Sequence, residues 1–276
     1  MHDGLITAEP QKGLKEASAF FRRRSLAVFL VALALFVINA LVGTFLEFDF
    51  LKTIRDIPEG FVWMVTNFLP SVSALQKLPT IIQQLGATVL ISIAASCTAA
   101  VLALVLAVLG SRSVGLKGPI PLVIRSIASL FRNIPTVAWA LILLFSFKQS
   151  EFTGYLALFL SSFGYLTRCF LESIDEVSGG AVEALRSTGA TYGQLIAQAV
   201  IPLSVTVVLS WVLYMIETNV RDATLVGILT GTGIGFVFDL YYKSFKYDVA
   251  ALVVLSIVVV IVGIELTSNF IRRVVL

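Results

Sequence analysis

The sequence predicts an all-α, polytopic membrane protein with about six membrane-spanning helices. Hydrophobic residues make up 58% of the 276 and charged residues only 13%, and mean hydropathy is +0.95, well outside the range of soluble domains. Apolar runs of about 20 residues recur, each long enough at about 1.5 Å per residue to cross a hydrocarbon layer of about 30 Å. The formal net charge of +3 is too small, and its basic residues too scattered beside apolar runs, to point to nucleic acid. The single histidine is His2, and the two cysteines, Cys97 and Cys169, fall inside predicted spans. Neither a histidine or thiolate metal cluster nor a disulfide is expected from them.

Taken in order, residues 1–24 read as a polar cytoplasmic tail in which Leu14 to Phe21 forms a helix on the membrane surface, and residues 25–276 as the membrane domain. Ser25 to Leu46 is the first span; its apolar run exceeds the roughly 7 to 15 residues of a signal-peptide core, so it is read as retained. Glu47 to Lys77 is a polar connection containing the amphipathic piece FVWMVTNFL. The second span, Thr80 to Leu109, is crowded with small residues from Ser92 to Ala100, the composition that lets helices approach closely in lipid. Gly110 to Gly118 is a loop. Pro119 to Phe147 holds a third span broken at Asn133-Ile134-Pro135, because proline lacks a backbone donor and pushes its neighbour away from helical angles. After a turn at Lys148 to Glu151, Phe152 to Leu171 is the fourth span. The fifth runs from Pro202 to about Met215 and is closed by Glu217 to Asp222. GILTGTGIG, residues 227–235, begins a long connection, and Ala250 to Ile271 is the sixth span.

With both termini inside, twelve Lys and Arg fall in cytoplasmic segments and seven in outer ones, with Arg132 left within the third span. That excess of basic residues favours the N-in, C-in topology.

Between the fourth and fifth spans lies a polar island, EALRSTGATYGQLIAQAVIP, from Glu183 to Pro202. Ala181 to Thr188 has the spacing of a short amphipathic helix, Gly189 suits a left-handed helix stop, and Thr191-x-x-Gln194 has the spacing of a capping box. The expected result is two short helices joined at a bend. Glu-Ala-x-x-x-x-Gly followed after eleven residues by an apolar residue and Pro resembles the cytoplasmic coupling loop in permease subunits of ATP-binding cassette importers. Glu183-Ala184, Gly189 and Ile201-Pro202 match it in register, while Leu185 and Ala199 depart from the commonest residues at their positions. Further on, FRNIPTVAWALI (131–142) and ETNVRDATLVGILTGTGIG (217–235) are similar to the permease subunit of phosphonate importers. The likeness covers roughly Thr80 to the C-terminus, and the glycine-rich part is shared with methionine-type permeases.

The resemblance implies a type I importer permease fold, methionine-permease-like, with its core at residues 80–276 and the coupling loop at 175–202. It implies transport of phosphonate or a related phosphorus oxyanion, phosphate or phosphite, across a bacterial cytoplasmic membrane. The implied partners are a cytoplasmic ATPase dimer, an extracytoplasmic substrate-binding protein and a second permease chain, identical or not, in membrane lipid. No G-x-x-x-x-G-K-[ST] occurs, so the chain is expected to be no enzyme and to hold no cofactor, with ATP and Mg bound by the partner ATPase. Glu183, Ala184, Arg186, Gly189, Thr191 and Pro202 are the ATPase-coupling candidates. Arg132, Asn133, Pro135, Glu217, Asn219 and Arg221 are candidates for a translocation pathway.

Several of these residues carry a second meaning. Glu217 and Arg221 have the acid-first spacing of a helical ion pair, Arg132 either faces a polar path or snorkels to the surface, and Gly231, Gly233 and Gly235 serve close backbone approach more naturally than nucleotide binding. The runner-up functions are a methionine-type permease and an ATP-independent secondary transporter; the latter calls for an inverted repeat or mid-membrane ionisable groups, neither of which is evident. The topology is directly testable with single cysteines at Ser187 and Ser244 in a background lacking Cys97 and Cys169. Impermeant maleimide applied to intact cells should label position 244 and spare position 187; the reverse pattern would refute the orientation.

Overall fold

Every regular element in the described residues is helical. The structure, a computed structural model, describes the backbone of residues 9–46 and 49–275; the first eight residues of the predicted tail and Glu47 lie outside them. The order is α1 (Glu9–Phe45), α2 (Phe50–Asn67), a 3-10 turn (Ala74–Lys77), α3 (Leu78–Gly110), α4 (Ile120–Asn133), α5 (Thr136–Phe147), α6 (Glu151–Ser187), α7 (Tyr192–Leu195), a π turn (Ile196–Val200), α8 (Ile201–Thr230), α9 (Gly233–Lys243) and α10 (Tyr247–Val275). The chain divides into two units at Val65 and Thr66, each described by itself.

In the first unit, α1 is continuous from Glu9, so the predicted surface helix and first span form one element. From Phe21 to Phe45 it is long and apolar enough to cross a membrane, and Leu26, Val28, Phe29 and Val31 stand exposed around its circumference. A helix apolar on all sides is suited to lipid. Asp49 caps α2 by accepting from Lys52 N at 3.0 Å. The predicted amphipathic piece is thus the later part of a longer helix that tolerates Pro58 within it.

The second unit is organised on α6, which packs against α3, α4, α5 and α8, the α3 contact being the most extensive. The small-residue stretch of α3 does what its composition predicts: Ser92, Ala95, Ser96, Ala99, Ala103 and Ala107 are buried. They bring the backbone of α3 close to α6, whose buried small residues include Thr153, Ala157 and Ser162, while Gly154 lies against Val226 and Thr230 of α8. Larger side chains, Leu166, Phe170, Leu171 and Ile174, fill the space towards the end of the core that holds Val182 and Leu195. Within this core Asn219 of α8 is 1% exposed. Its Nδ2 donates to Ser96 Oγ at 2.8 Å and to Ser162 Oγ at 2.6 Å, and its backbone carbonyl accepts from Ser92 Oγ at 3.2 Å. One amide therefore ties three helices together.

Three expectations are revised. The fourth span is the first part of a 37-residue helix that runs without a break into the predicted island. The fifth does not end at Glu217; α8 continues to Thr230, where Gly231 at φ +66° closes it. The long connection beyond is α9, folded back so closely that a Cβ on Gly235 would lie 1.9 Å from the Thr224 carbonyl oxygen. Thr88 Oγ1 caps this helix from α3, accepting from Ile234 N at 2.9 Å. The glycines thus serve close approach.

Four segments qualify as spans by length and composition, Phe21–Phe45, Ala74–Gly110, Tyr192–Thr230 and Tyr247–Val274, and the pair α4 and α5, bent by 91°, adds a fifth when counted as one span. The expected count of six is not confirmed by length and composition, since α6, packed against four other helices, carries Ser, Thr, Gly and Arg where a lipid-facing helix carries aliphatic residues. Asn219→Leu should lower the stability of the detergent-solubilised protein by about 0.6 to 2 kcal/mol, the range for buried interhelical hydrogen bonds in membranes. Thr98→Val, which removes an exposed hydroxyl that meets Tyr155 and the Ala94 and Ala95 carbonyls of its own helix, is the control. Equal thermal midpoints for the two variants would deny Asn219 its role.

Candidate functional site

The bend between α6 and α8 is built by termination chemistry. Ala190 N donates to Leu185 O at 3.2 Å and Gly189 N to Arg186 O at 3.0 Å, the bond pair of a Schellman motif, with Gly189 at φ +84°. Thr191 N then donates to Gln194 Oε1 at 2.8 Å, closing the predicted capping box. Pro202 has no N–H to continue an α ladder, and the chain ahead of it adopts the wider π turn in which Ile201 N reaches Ile196 O. The expectation of two short helices is corrected: the bend joins the ends of two long ones through the one-turn helix α7 and a π segment.

Val182, Leu195, Ala199 and Val200 are buried beneath this bend and anchor it to the core. Glu183, Ala184, Arg186, Gly189 and Thr191 are all exposed above it, as is Pro202 at the start of α8. The result is a solvent-presented ridge with an acid and a base on anchored backbone, whose Ser187, Thr188 and Thr191 hydroxyls bond within the bend.

A brace lies about 12 Å along α6 from Glu183, eight residues back. Asp175 accepts from Ser111 Oγ and Arg112 N, each at 2.7 Å, from Ser113 N at 3.3 Å, and from Arg125 Nη2 at 2.8 Å. Arg125 Nη2 also donates to Gly110 O at 3.2 Å. The loop after α3 and the helix α4 are thereby fastened to α6 just before the bend. Burial works against the Asp175 carboxylate, but the hydrogen bonds from Ser111, Arg125 and the amides of Arg112 and Ser113 outweigh it and hold its pKa below the ordinary aspartate value. Sequence reading missed this group, since residues 50 to 64 positions apart share no spacing rule.

The pathway candidates divide. Arg132, Asn133 and Pro135 are exposed at the 91° break between α4 and α5. The break is pressed onto α6 at Gly164, where a Cβ would meet Arg132 N at 2.5 Å. Glu217 and Arg221 form the expected ion pair, with side-chain exposures of 14% and 44%, midway along α8 and not at its end. Asn219 faces the other way, into the core. A second missed residue, Asp222, accepts from Thr136 Oγ1 at 2.8 Å, and Thr136 also meets Ser161 Oγ at 2.9 Å. This contact brings the α4/α5 break beside Arg221.

Residues 99–275 match the family model described as "binding-protein-dependent transport system inner membrane component". The chain is 28% identical over 185 residues to the phosphate-import permease protein PhnE of Mycolicibacterium smegmatis, covering 67% of this chain and 35% of that one. It thus spans about a third of that relative's length. It is 29% identical over 219 residues to the phosphite transport system permease protein PtxC of Stutzerimonas stutzeri, covering 75% and 78%. Its fold is similar to an inward-facing structure of the MetNI methionine ABC transporter, with a TM-score of 0.64 at 18% identity over 71% of this chain and 96% of that one.

The Asp175 brace can be tested by substitution and by pH. Because its folded-state pKa is depressed, its stabilisation is complete above the unfolded value of about 4 and is lost as pH falls through the lower folded value. Asp175→Asn should cost about 1 to 3 kcal/mol at neutral pH and accelerate amide exchange in residues 111–113. Unchanged exchange there would show that the loop is held by other contacts.

Proposed function

The chain belongs to the family of binding-protein-dependent transport system inner membrane components, and from this we propose that it is the membrane-spanning subunit of an ATP-driven importer of phosphonate or a related phosphorus oxyanion, phosphate or phosphite. The observation that carries the proposal is the anchored, exposed bend whose Glu183-Ala184, Gly189 and Pro202 stand in the register of an ATPase-coupling loop. The substrate class is supported by the relatives named for phosphate and phosphite transport.

In this reading two cytoplasmic ATPases bind ATP and Mg and dock at the bends of two permease chains, and an extracytoplasmic binding protein delivers the oxyanion. Both termini face the cytoplasm of a bacterial cell. The chain contributes no chemical step. Its contribution is mechanical: a displacement of the bend moves α6 and α8 together, because each enters it directly and the π turn transmits rather than absorbs the motion. Helix α8, about 45 Å long, carries that displacement to the level of Glu217, Arg221 and the α4/α5 break, where alternating exposure of a polar path would occur. Glu183, on the last turns of α6, meets a basic or hydrogen-bonding groove of the ATPase, while Arg186 and Thr191 flank it. Arg132 and Arg221 are the exposed cations at the break and on α8 that an oxyanion would pass.

Reconstituted with its ATPase and binding protein, the chain should take up a phosphonate or phosphite only with ATP. Gly189→Asp, which forces a side chain into a left-handed bend at a cost of about 1 kcal/mol, should leave the protein in the membrane but abolish ATPase co-purification and substrate-stimulated hydrolysis; Glu183→Ala should weaken both more mildly. Full docking by Gly189→Asp would remove the coupling role. Methionine uptake with no response to phosphorus oxyanions would reassign the substrate, and rapid ATP-independent uptake would exclude an importer of this kind.

A further inference from the structure

Helix α8 carries one acid that its ion pair leaves out. Arg221 is committed to Glu217, whereas the neighbouring Asp222 forms no ion pair among the described residues and accepts instead from Thr136 Oγ1 at 2.8 Å. It lies eight residues, about 12 Å, before the end of α8, at a depth where an ionisable group costs more than the amide of an asparagine. A hydroxyl tie alone does not call for an acid. The start of α5 supplies the reason: Pro135, the residue before Thr136, stands at φ −57° and ψ 146° and gives the helix no side-chain cap. Ile134 is extended as well, at φ −92° and ψ 119°, so α4 and α5 meet through a link without a helical ladder of its own. The Asp222 carboxylate stands at the positive end of α5, where its charge complements the helix dipole that Pro135 leaves uncapped. Thr136 is buried and has one hydroxyl proton. Because that proton goes to Asp222, Ser161 is the donor in the 2.9 Å contact with Thr136. A directed chain therefore runs from Ser161 of α6 through Thr136 of α5 to Asp222 of α8. Further along α5 the packing against α8 is apolar, with Ala140 in one cluster with Ala223 and Val226, and apolar contact has no direction of its own. Among the described residues, the Thr136–Asp222 bond is the only side-chain hydrogen bond between α5 and α8.

We propose, on the importer reading above, that Asp222 is a positioning residue for transport: it hands a displacement of α8 to α5, and so to Arg132 and Asn133 at the break. Asp222 acts through Thr136 and not on the substrate. With the tie cut, α8 still moves with the bend when the ATPases close, but α5 no longer follows it. ATP is then hydrolysed without proportionate uptake.

The test reconstitutes the chain in liposomes with its ATPase and binding protein and reads ATP hydrolysed per methylphosphonate or phosphite imported. Asp222→Ala should raise that ratio by roughly tenfold, the equivalent of one charge-assisted hydrogen bond, and Thr136→Val should raise it in the same direction. Asp222→Asn, which keeps an acceptor and loses the charge, should fall between Asp222→Ala and the wild type, and Thr136→Ser should stay near the wild type. Adding Thr136→Val to Asp222→Ala should change nothing further, because both remove the same bond. In the detergent-purified chain, amide exchange at residues 136–138 should also rise by roughly tenfold in Asp222→Ala. A wild-type chain that imports neither substrate with ATP would overturn the importer reading and this role together. A coupled wild type with an unchanged ratio in Asp222→Ala and Thr136→Val would overturn this role alone, and so would uptake and hydrolysis lost in equal proportion, which marks a merely structural defect. Unchanged exchange at residues 136–138 would overturn the tie itself.

Discussion

The second unit depends on how its helices hold together in a solvent that does not drive them together. Lipid tails are as apolar as leucine, so burial between helices gains little from the hydrophobic effect, and association rests on close packing and interhelical hydrogen bonds. The structure meets this with two linked devices. Small residues at near-four-residue intervals on α3 and α6 let their backbones approach, and Asn219 uses the resulting proximity to bond Ser96 and Ser162 from a third helix. Neither device works alone, since larger side chains would hold the serines out of reach and the packing without the amide would leave the rotation of α8 unspecified.

The same need for close approach recurs where chain segments reverse. Gly164 admits the backbone of the α4/α5 break onto α6, and Gly235 admits α9 onto α8. In each case the absence of a Cβ fixes how far two backbones can close, and so fixes where exposed polar residues end up. The placement of Arg132 and Asn133 beside α8 follows from Gly164 and from the Thr136–Asp222 contact.

The bend couples these features to the surface. Because α6 is a single helix from Glu151 to Ser187, its first half is cemented into the bundle and its last turns form the ridge itself. The Asp175 brace stiffens the stretch between, tying loop 111–113 and Arg125 to the helix just ahead of Glu183. A ridge on a flexible hairpin would dissipate a push from a docked partner; one on the ends of two packed helices delivers it to the core.

The sequence by itself determined the helical class, the membrane setting, the small-residue face of α3, the helix break at Asn133-Ile134-Pro135, the stop at Gly189 with its Thr191 cap, and the Glu217–Arg221 pair. All of these are local: each rests on composition, on one helical turn, or on the stereochemistry of glycine and proline. The tertiary structure decided the lengths of α6 and α8, the 91° angle at the break, and the partners of Asn219, Asp175 and Asp222. Polar residues near Leu171 and Met215 read as helix ends because charge marks the edge of a membrane span, yet here the helices that carry them run on past those residues. Partners brought together from 50 to 127 positions apart obey no spacing in the chain, because their meeting is set by how closely the intervening helices pack.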